Sequence, residues 1–236
     1  TSLSDKWAAP FKLDDETGSI EITATDESGK INLNGLVPTN SNVPEPITLA
    51  VLTRLGERLQ IPVECWSALA DWLDSDDLPL TGGGAETSYY KSMKPPYSAP
   101  NAKLTTLAEL SLVKGFTPEI IASLRPFVTI YGPEGGVSQV NINTAPKEVL
   151  AALDDRIDDR MAERILEERR LKPFTTLGEL SRVDSLISFS LAGRASVKGN
   201  VFRITSVARV KDTARTVETV VRLTGGSPEY LSWQEY

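Results

Sequence analysis

One short pattern, apolar–Asn–apolar–Asn, occurs twice in this chain of 236 residues, at Ile31–Asn34 and again at Val140–Asn143. Such alternation predicts a short strand that has one face in solvent. After the second copy, Thr144 and Pro146 are typical of a helix N-cap and of an early helical position, and the segment 147–153 is rich in apolar residues. We therefore expect both copies to lead from extended chain into helices, with the asparagine side chains bonded to nearby backbone.

Strand patterns also lie near both ends of the chain. Residues Ser19–Thr25 alternate between apolar and polar side chains, and the polar turn that follows predicts a hairpin with Lys30–Leu33. Near the other end, Phe202–Val210 and Val217–Leu223 alternate in the same way, which predicts a second hairpin. The remaining tail, 225–236, is expected to be loosely packed.

Apolar residues recur at helical spacing through the middle of the chain. One helix is expected from Pro46 onwards and another from Pro62, each with one apolar face. The segment 104–128 predicts two short helices joined at a glycine, and further helices are expected between residues 147 and 183. A strand or loop is expected at 128–137, where a proline and two adjacent glycines occur.

This order of elements favours an α+β fold, in which early and late chain build one antiparallel sheet and a large α-helical domain is inserted between its strands. We assign residues 1–34 and 196–236 to the sheet domain. Residues 35–195 are assigned to the inserted helical domain, and its run of short helix pairs resembles helix-hairpin-helix modules.

The residue types present exclude several kinds of catalytic and metal site. The chain contains no histidine, so Ser-His-Asp catalysis, Cys-His catalysis and histidine metal ligands are all excluded. Its one cysteine, Cys65, can form neither an internal disulfide nor a thiolate-rich zinc site. Cys65 stands beside Trp66 in an apolar helical pattern, which predicts a small buried side chain rather than a nucleophile.

Charge and hydropathy limit the surroundings in which this chain works. The net charge of −7 argues against a general nucleic-acid surface, which needs clustered lysine and arginine. No apolar run approaches the length of a membrane span, and no signal peptide is visible. Because the chain starts at Thr1 rather than at methionine, we expect a processed or truncated product from which an anchor has been removed.

The segment Asp71–Tyr90 is a candidate metal site, because it is acidic and contains neither lysine nor arginine. Its acidic residues are Asp71, Asp74, Asp76, Asp77 and Glu86. Calcium takes several oxygen ligands in flexible loops, and the glycines 82–84 allow backbone carbonyls to turn inwards. Asn101 and Glu86 can return to the same place, although the spacing is not that of an EF-hand. Two interpretations stay open, a calcium site and an exposed acidic helix end.

The same residues allow two other kinds of function to be considered, nucleic-acid binding and catalysis. Helix-hairpin-helix modules bind nucleic acid when hairpin glycines expose N–H groups to a phosphate. Here only Gly115 stands in a first hairpin, while Asp154–Asp155 and Asp184 occupy the next two, and these carboxylates repel DNA. Catalysis by an acid pair such as Asp74 and Asp76 has no accompanying nucleophile or partner motif. Both functions are thus disfavoured. Nucleic-acid binding stays as the main alternative to a non-enzymatic assembly function, and a calcium-dependent hydrolase is the second alternative.

Several short motifs occur along the chain in a characteristic order. They are Asp26–Asn34, Asp71–Asp76, Gly84–Glu86 with Tyr90, Pro96–Tyr97 with Asn101, Val140–Ala145 and the C-terminal hairpin. Each motif alone is weak, but together they cover almost the whole chain. The combination resembles the minor pseudopilin K family of the type II secretion system.

The resemblance implies a fold and a place of action. The fold is a pseudopilin-like antiparallel sheet that carries a large inserted α-helical domain. The full-length protein would have a hydrophobic N-terminal helix that is cut by a prepilin peptidase, is subject to methylation, and anchors the protein in the bacterial inner membrane. The present chain would then be the soluble periplasmic part.

The resemblance also implies a function without catalysis. Members of the family sit at the tip of the pseudopilus with minor pseudopilins of the I and J types, where the bulky helical domain caps the fibre. They help to initiate its assembly for protein export and contact secreted cargo or the outer-membrane secretin. Nucleic acid is not among the expected partners.

Calcium is the cofactor that the resemblance implies, bound in a loop near residues 71–101. The trait carries over best to Asp74, Asp76 and Glu86. It carries over next to Asp71, Asp77 and Asn101. With the family in view, the calcium interpretation of the acidic loop is the one that we expect.

Overall fold

The computed structural model describes residues 1–132, 138–225 and 227–236. Its strands are β1 (Phe11–Asp14), β2 (Ser19–Asp26), β3 (Ile31–Asn32), β4 (Val128–Thr129), β5 (Val140–Asn141), β6 (Ala195–Ser196), β7 (Val201–Val210), β8 (Thr213–Thr224) and β9 (Ser227–Glu235). Its α-helices are α1 (Pro46–Leu59), α2 (Glu64–Leu73), α3 (Thr87–Tyr90), α4 (Pro118–Leu124), α5 (Lys147–Leu153), α6 (Asp159–Leu171) and α7 (Ile187–Ser190). Short 3-10 helices lie at Lys6–Ala8, Glu27–Gly29, Leu33–Gly35, Leu107–Leu112 and Leu177–Arg182. Within these ranges, no helix is both long and apolar enough to cross a membrane.

Five strands form one antiparallel sheet in the order β1-β2-β7-β8-β9, so early and late chain meet in it. The predicted C-terminal hairpin is confirmed, because Phe202 of β7 pairs with Val221 of β8. The prediction of a loosely packed tail is wrong, because the tail pairs with β8 as strand β9. The reason is that β8 offers a long free edge, and residues such as Tyr230 and Trp233 favour extended chain.

The predicted hairpin between Ser19–Thr25 and Lys30–Leu33 is also wrong. Strand β2 lies between β1 and β7, while β3 pairs in parallel with the distant β4. The turn explains the difference. The Asp26 carboxylate accepts a hydrogen bond from the Ser28 N–H, and the 3-10 helix that follows directs the chain out of the sheet.

Each apolar–Asn–apolar–Asn motif begins a small unit of the same design. Strand β3 pairs with β4, and β5 pairs with β6, both in parallel and in equivalent register. In the first unit, the Asn34 amide bonds to both the N–H and the carbonyl of Leu104. In the second unit, Asn143 bonds in the same way to Phe174. A Thr-Thr-Leu sequence and a 3-10 helix follow in both cases, so the helical part consists of two versions of one unit.

The alternation predicted that the asparagines of these motifs face solvent, and this is wrong for three of the four, while Asn34 is half-buried. Asn32, Asn141 and Asn143 are all buried. The expected local bonds are present, because Oδ1 of Asn32 and of Asn141 each accepts from the N–H two residues further on. Since these amide groups find their hydrogen bonds inside the protein, the motif needs no solvent-facing side.

The two units pack against each other through α1 and α5. Arg54 of α1 donates to the carbonyls of Ala152 and Leu153 at the end of α5. Arg194 donates to the Leu153 carbonyl and to the Asp154 carboxylate. Because the last carbonyls of a helix carry partial negative charge, the two guanidinium groups stabilise this contact.

Two buried acidic residues at the end of β2 join the sheet to the helical units. The Asp26 carboxylate accepts from the Asn141 amide at 2.8 Å. The Glu27 carboxylate, which is fully buried, pairs with Lys30 at 2.7 Å and with Arg203 of β7 at 3.0 Å. Since a buried charge depends on such partners, the network fixes how the helical units sit on the sheet.

The sheet uses residues 11–26 and 201–235, and the α-helices lie between residues 46 and 190, which is an α+β arrangement with an inserted helical part. The exact division, with 1–34 and 196–236 in one domain and 35–195 in the other, stays a prediction. The strand or loop expected at 128–137 begins as β4, and residues 133–137 lie outside the described ranges.

A candidate metal centre in the acidic loop

Asp71, Asp74 and Glu86 form a buried acidic cluster. Helix α2 positions the first two, because its apolar residues pack into the core, Asp71 lies in its last turn and Asp74 is its C-cap. Glu86 immediately precedes α3 and returns to the same place. One oxygen of each carboxylate lies within 4.8 Å of the others. The three residues are only 0, 2 and 1 % exposed, so three acidic side chains share one buried site.

Several oxygen atoms of this loop have no hydrogen-bond partner among the described residues. They are Asp74 Oδ1, Glu86 Oε1, Glu86 Oε2 and Asn101 Oδ1. A buried acceptor without a partner costs about 1–3 kcal/mol, and a charged one costs more. Carboxylate and amide oxygens are the ligands that Ca²⁺ prefers in proteins. The residues present therefore fit a hard divalent cation.

Burial makes these carboxylates difficult to ionise. It raises the pKa of Asp74 to about 6, with repulsion from Asp76 and Asp71 adding to the effect. It raises the pKa of Glu86 to about 8, with repulsion from Asp71 and Asp74 adding to it. Burial also raises the pKa of Asp71. A cation among these groups would offset both the loss of hydration and the repulsion between like charges.

The glycines at 82–84 let the loop fold back onto α2. The Leu80 N–H lies 3.2 Å from each oxygen of the Asp71 carboxylate. A Cβ at Gly84 would overlap both Asp71 Oδ2 and the Leu80 backbone. Gly83 has a φ of +117°, a conformation that residues with side chains rarely adopt. Glycine is therefore required where the loop backbone passes next to the Asp71 carboxylate.

Lys114 ties this glycine loop to the next hairpin, a role that the sequence reasoning missed. Its ammonium donates to the carbonyls of Gly83 and Gly84 at 3.1 and 3.3 Å and lies 5.0 Å from the centre of the Tyr89 ring. Its backbone N–H donates to the Tyr90 hydroxyl. The sequence does contain a signal for this role. Lys114 stands next to the hairpin glycine Gly115 and follows an acidic stretch that has no lysine or arginine of its own.

The structure brings together some of the residues that the resemblance implies as calcium ligands and places the others apart from them. Asp71, Asp74 and Glu86 come together as described. Asn101 is tied to the same loop, because its amide nitrogen donates to the Asp76 carbonyl at 2.6 Å while its Oδ1 atom stays buried and unpaired among the described residues.

Asp76 and Asp77 are placed differently from the three clustered carboxylates. The Asp76 side chain is half-buried and accepts a hydrogen bond from the Leu78 N–H, and Asp77 is exposed. Neither belongs to the group whose carboxylate oxygens lie within 4.8 Å of one another. Their charges nevertheless act on the site, because both contribute to raising the pKa of Asp74 and of Glu86.

The hairpins that resembled nucleic-acid modules are turned towards the core. Gly115 has a φ of +88°, and a Cβ there would lie 2.9 Å from the Cys65 sulfur. The prediction that Cys65 is a small buried side chain is confirmed. At the second hairpin, Asp154 is buried and pairs with Arg194 at 3.0 Å. These contacts favour packing over phosphate recognition.

Two family models match the chain, and both describe the type II secretion system (T2SS), protein K. One matches residues 29–134 and the other residues 140–198, so together they cover most of the chain. Type II secretion system protein K of Pseudomonas aeruginosa PAO1 is 35% identical over 185 residues, which are 76% of this chain and 54% of that protein. The protein K of Aeromonas hydrophila is 28% identical over 93% of this chain and 71% of its own length.

The chain thus spans about half the length of several curated relatives that it matches. Among solved structures, it is similar to a chain in the crystal structure of the GspK-GspI-GspJ complex from the enterotoxigenic Escherichia coli type 2 secretion system. The TM-score is 0.80, the sequence identity is 24%, and the match covers 100% of this chain and 86% of that chain. At this identity, the similarity demonstrates a shared fold.

Proposed function

Because the chain belongs to the type II secretion system protein K family, we propose that it is a non-enzymatic subunit at the tip of the type II secretion pseudopilus. There it caps the fibre and helps to initiate its assembly for protein export. The observation that carries this proposal is the fold, which matches over the whole chain a protein from a complex of GspK, GspI and GspJ.

The buried contacts between the sheet and the helical units support a capping function. The buried Asp26 and Glu27 carboxylates bind groups on both the sheet and the helical part, so the bulk of the helical units keeps one position. A bulky domain held in this position occupies the space where a further subunit would add. Shape and surface contacts, rather than chemistry on a substrate, then perform the function.

The proposed partners are minor pseudopilins of the I and J types, in a tip complex in the periplasm. Secreted cargo and the outer-membrane secretin are further proposed partners. For the full-length precursor, we propose an N-terminal helix that anchors it in the inner membrane and a prepilin peptidase that processes it.

Co-elution with the I- and J-type pseudopilins of the same organism tests this assignment. Size-exclusion chromatography with light scattering should yield one species with the mass of all three chains. The control replaces this chain by an unrelated acidic protein of similar size. If the folded chains elute separately even at high concentration, the tip function is wrong.

We propose that calcium binds between Asp71, Asp74 and Glu86, with Asn101 as a further ligand and with Asp76 and Asp77 supplying charge nearby. Four buried oxygens of this loop without hydrogen-bond partners among the described residues support the proposal. When bound, the ion supplies positive charge that holds together a loop whose carboxylates repel one another. The path of the loop around the site is set by the protein's own residues, namely Lys114 and the glycines at 82–84.

Thermal melts in metal-free buffer and in excess calcium test the ion site. At a hundred times its dissociation constant, a ligand that binds only the folded state adds about 2.7 kcal/mol to the free energy of unfolding. Asp74→Asn should abolish this gain, whereas Asp77→Asn, an exposed acid of the same loop, should keep most of it. Terbium offers a second readout, because Trp72 beside Asp71 can sensitise its luminescence.

Two outcomes would contradict the calcium proposal. One is a melting temperature that does not respond to calcium, together with no bound metal by elemental analysis. The other is an equal response in Asp74→Asn and in the wild type.

The alternative functions have their own tests. Salt-sensitive DNA binding in a gel shift at low salt would favour a nucleic-acid-binding protein, and calcium-dependent turnover in a hydrolase screen would favour an enzyme.

A further inference from the structure

A cleft of about 490 Å³ lies between the first helical unit and the sheet, away from the acidic loop. The 3-10 helix Leu107–Leu112 and α4 form one wall, and β7, β8 and β9 form the other. Register places the contributing side chains on one face of the sheet. Arg203 pairs with Val220, which pairs with Ser232, and the next residues of that face are Glu218, Gln234 and Tyr236.

Most of the charged side chains that line the cleft are basic, although the whole protein carries a net charge of −7. Its charged side chains are Lys30, Arg125, Arg203 and Glu218. Lys30 and Arg203 are partly neutralised by the buried Glu27, and Arg203 also pairs with Glu218. Arg125 is different, because it is exposed and forms no ion pair in the described part of the chain. One uncompensated guanidinium therefore remains in the cleft.

The rest of the lining suits a peptide. Ala108, Ala122 and Pro126 supply a narrow apolar wall, and the Ser232 hydroxyl and Gln234 amide supply polar groups opposite them. Mixed linings with a few polar groups are typical of ligand sites. In addition, β9 is the last strand of the sheet, and its outer edge pairs with no strand among the described residues. Such an edge can bond the backbone of an extended segment.

We propose that this cleft binds an extended segment of a partner protein that carries a carboxylate side chain, with Arg125 as the residue that recognises the carboxylate. A guanidinium binds a carboxylate through two parallel hydrogen bonds, which gives both affinity and orientation. The inference goes beyond the capping function, because it assigns a second, peptide-binding surface that is independent of the metal centre.

The test uses a fluorescein-labelled pentapeptide in which valine alternates with glutamate, and a matched peptide in which glutamine replaces glutamate. Titration followed by fluorescence anisotropy measures affinity, and backbone amide NMR shifts locate the site. We expect saturable binding of the acidic peptide, shifts confined to α4, the 3-10 helix Leu107–Leu112 and β9, and weaker binding of the neutral peptide.

Variants separate recognition from general charge. Arg125→Gln should weaken binding of the acidic peptide by about tenfold or more, because a charge-assisted pair is lost. Ala122→Trp should block the cleft without changing charge. Arg160→Gln removes an exposed arginine of α6, outside the cleft, and should bind as the wild type does. Thermal melts establish that each variant folds.

Three results would overturn the proposal. The first is no saturable binding of the acidic pentapeptide to the folded protein. The second is an equal loss of affinity in Arg125→Gln and Arg160→Gln, which would indicate attraction to net charge alone. The third is a set of NMR shifts that lies outside the cleft. None of these results bears on co-elution with the I- and J-type pseudopilins, so the two proposals can fail separately.

Discussion

At the scale of single residues, half-buried cationic side chains complete the turn after each asparagine motif. Arg169 donates to the carbonyls of Ile142 and Ala145 in the second unit, at 2.8 and 2.7 Å. In the first unit, Lys103 donates to two carbonyls of the equivalent turn, one of which is that of Asn34. In both units, a cationic side chain therefore donates to the free carbonyls of a tight turn, although the two cations come from different positions of the chain.

Asn143→Ala should destabilise the protein by about 3 kcal/mol, because three internal hydrogen bonds are lost at a buried position. The Asn143 amide bonds to the N–H and carbonyl of Phe174 and to the carbonyl of Val197. Urea denaturation at constant calcium measures the change. Asn200→Ala, at an exposed asparagine, serves as the control and should be nearly neutral. Equal effects of the two substitutions would show that the Asn143 bonds are unimportant.

The raised pKa values of Asp74, about 6, and Glu86, about 8, predict how stability depends on pH without metal. Between pH 5 and 8, the folded state holds protons that the unfolded state has already released. The free energy of unfolding of the metal-free protein should therefore fall as pH rises through this window. The proposed calcium ion would bind the ionised carboxylates, so its stabilising effect should grow over the same window.

Melting temperatures at pH 5 and pH 8, with and without calcium, check this expectation. In Glu86→Gln, which carries no charge at this position at either pH, the fall in stability of the metal-free protein should be smaller. A metal-free wild type that becomes more stable from pH 5 to pH 8 would mean that other titrating groups outweigh these carboxylates.

At the scale of elements, the sequence predicted what each segment forms better than what it pairs with. The hairpin of β7 and β8, helix α1 and the two helical segments around Gly115 agree with the periodicity. The same periodicity predicted the wrong partner for strand β3, and it predicted a loosely packed tail where β9 lies. Periodicity reports which face of a segment is buried, and the partner depends on contacts far along the chain that periodicity does not record.

Gly84→Ala tests the acidic loop as an element. A Cβ at this position would overlap the Asp71 carboxylate and the Leu80 backbone, so the loop must move away from α2. We expect the calcium-dependent rise in melting temperature to shrink or vanish, while the metal-free protein loses little more than about 1–2 kcal/mol. Isothermal titration with calcium measures the affinity directly. An unchanged calcium affinity would mean that the loop does not need its close contact with Asp71.

At the scale of the whole molecule, the joint between the sheet and the helical units decides the shape on which the proposed capping function depends. Close approach at Gly29 contributes to it, because a Cβ there would lie 2.6 Å from the Thr144 hydroxyl and 3.0 Å from the Thr144 carbonyl carbon. The Thr144 backbone cannot move aside for this Cβ as the end of a flexible side chain could. The 3-10 helix after β2 and the second asparagine motif are thus packed with no space between them.

Gly29→Ala should therefore cost about 2 kcal/mol through overpacking, measured by urea denaturation. Gly178→Ala is the matched control, because a Cβ there meets only the Thr176 hydroxyl at 3.7 Å. We also expect Gly29→Ala to weaken co-elution with the I- and J-type pseudopilins more than Gly178→Ala does. Equal stability of the two variants would mean that the joint is not tightly packed.

The sequence by itself determined most of the local elements, the absence of histidine chemistry and the acidic loop, because these depend on residue type and on spacing of two to four positions. It also carried the motifs that identified the family. Only the tertiary structure decided that three of the four motif asparagines are buried, that β3 and β5 begin two equivalent units, and that Asp71, Asp74 and Glu86 cluster while Asp76 and Asp77 stay apart. Those outcomes depend on contacts between distant segments, where burial and hydrogen bonding are settled jointly and not by any one stretch of chain.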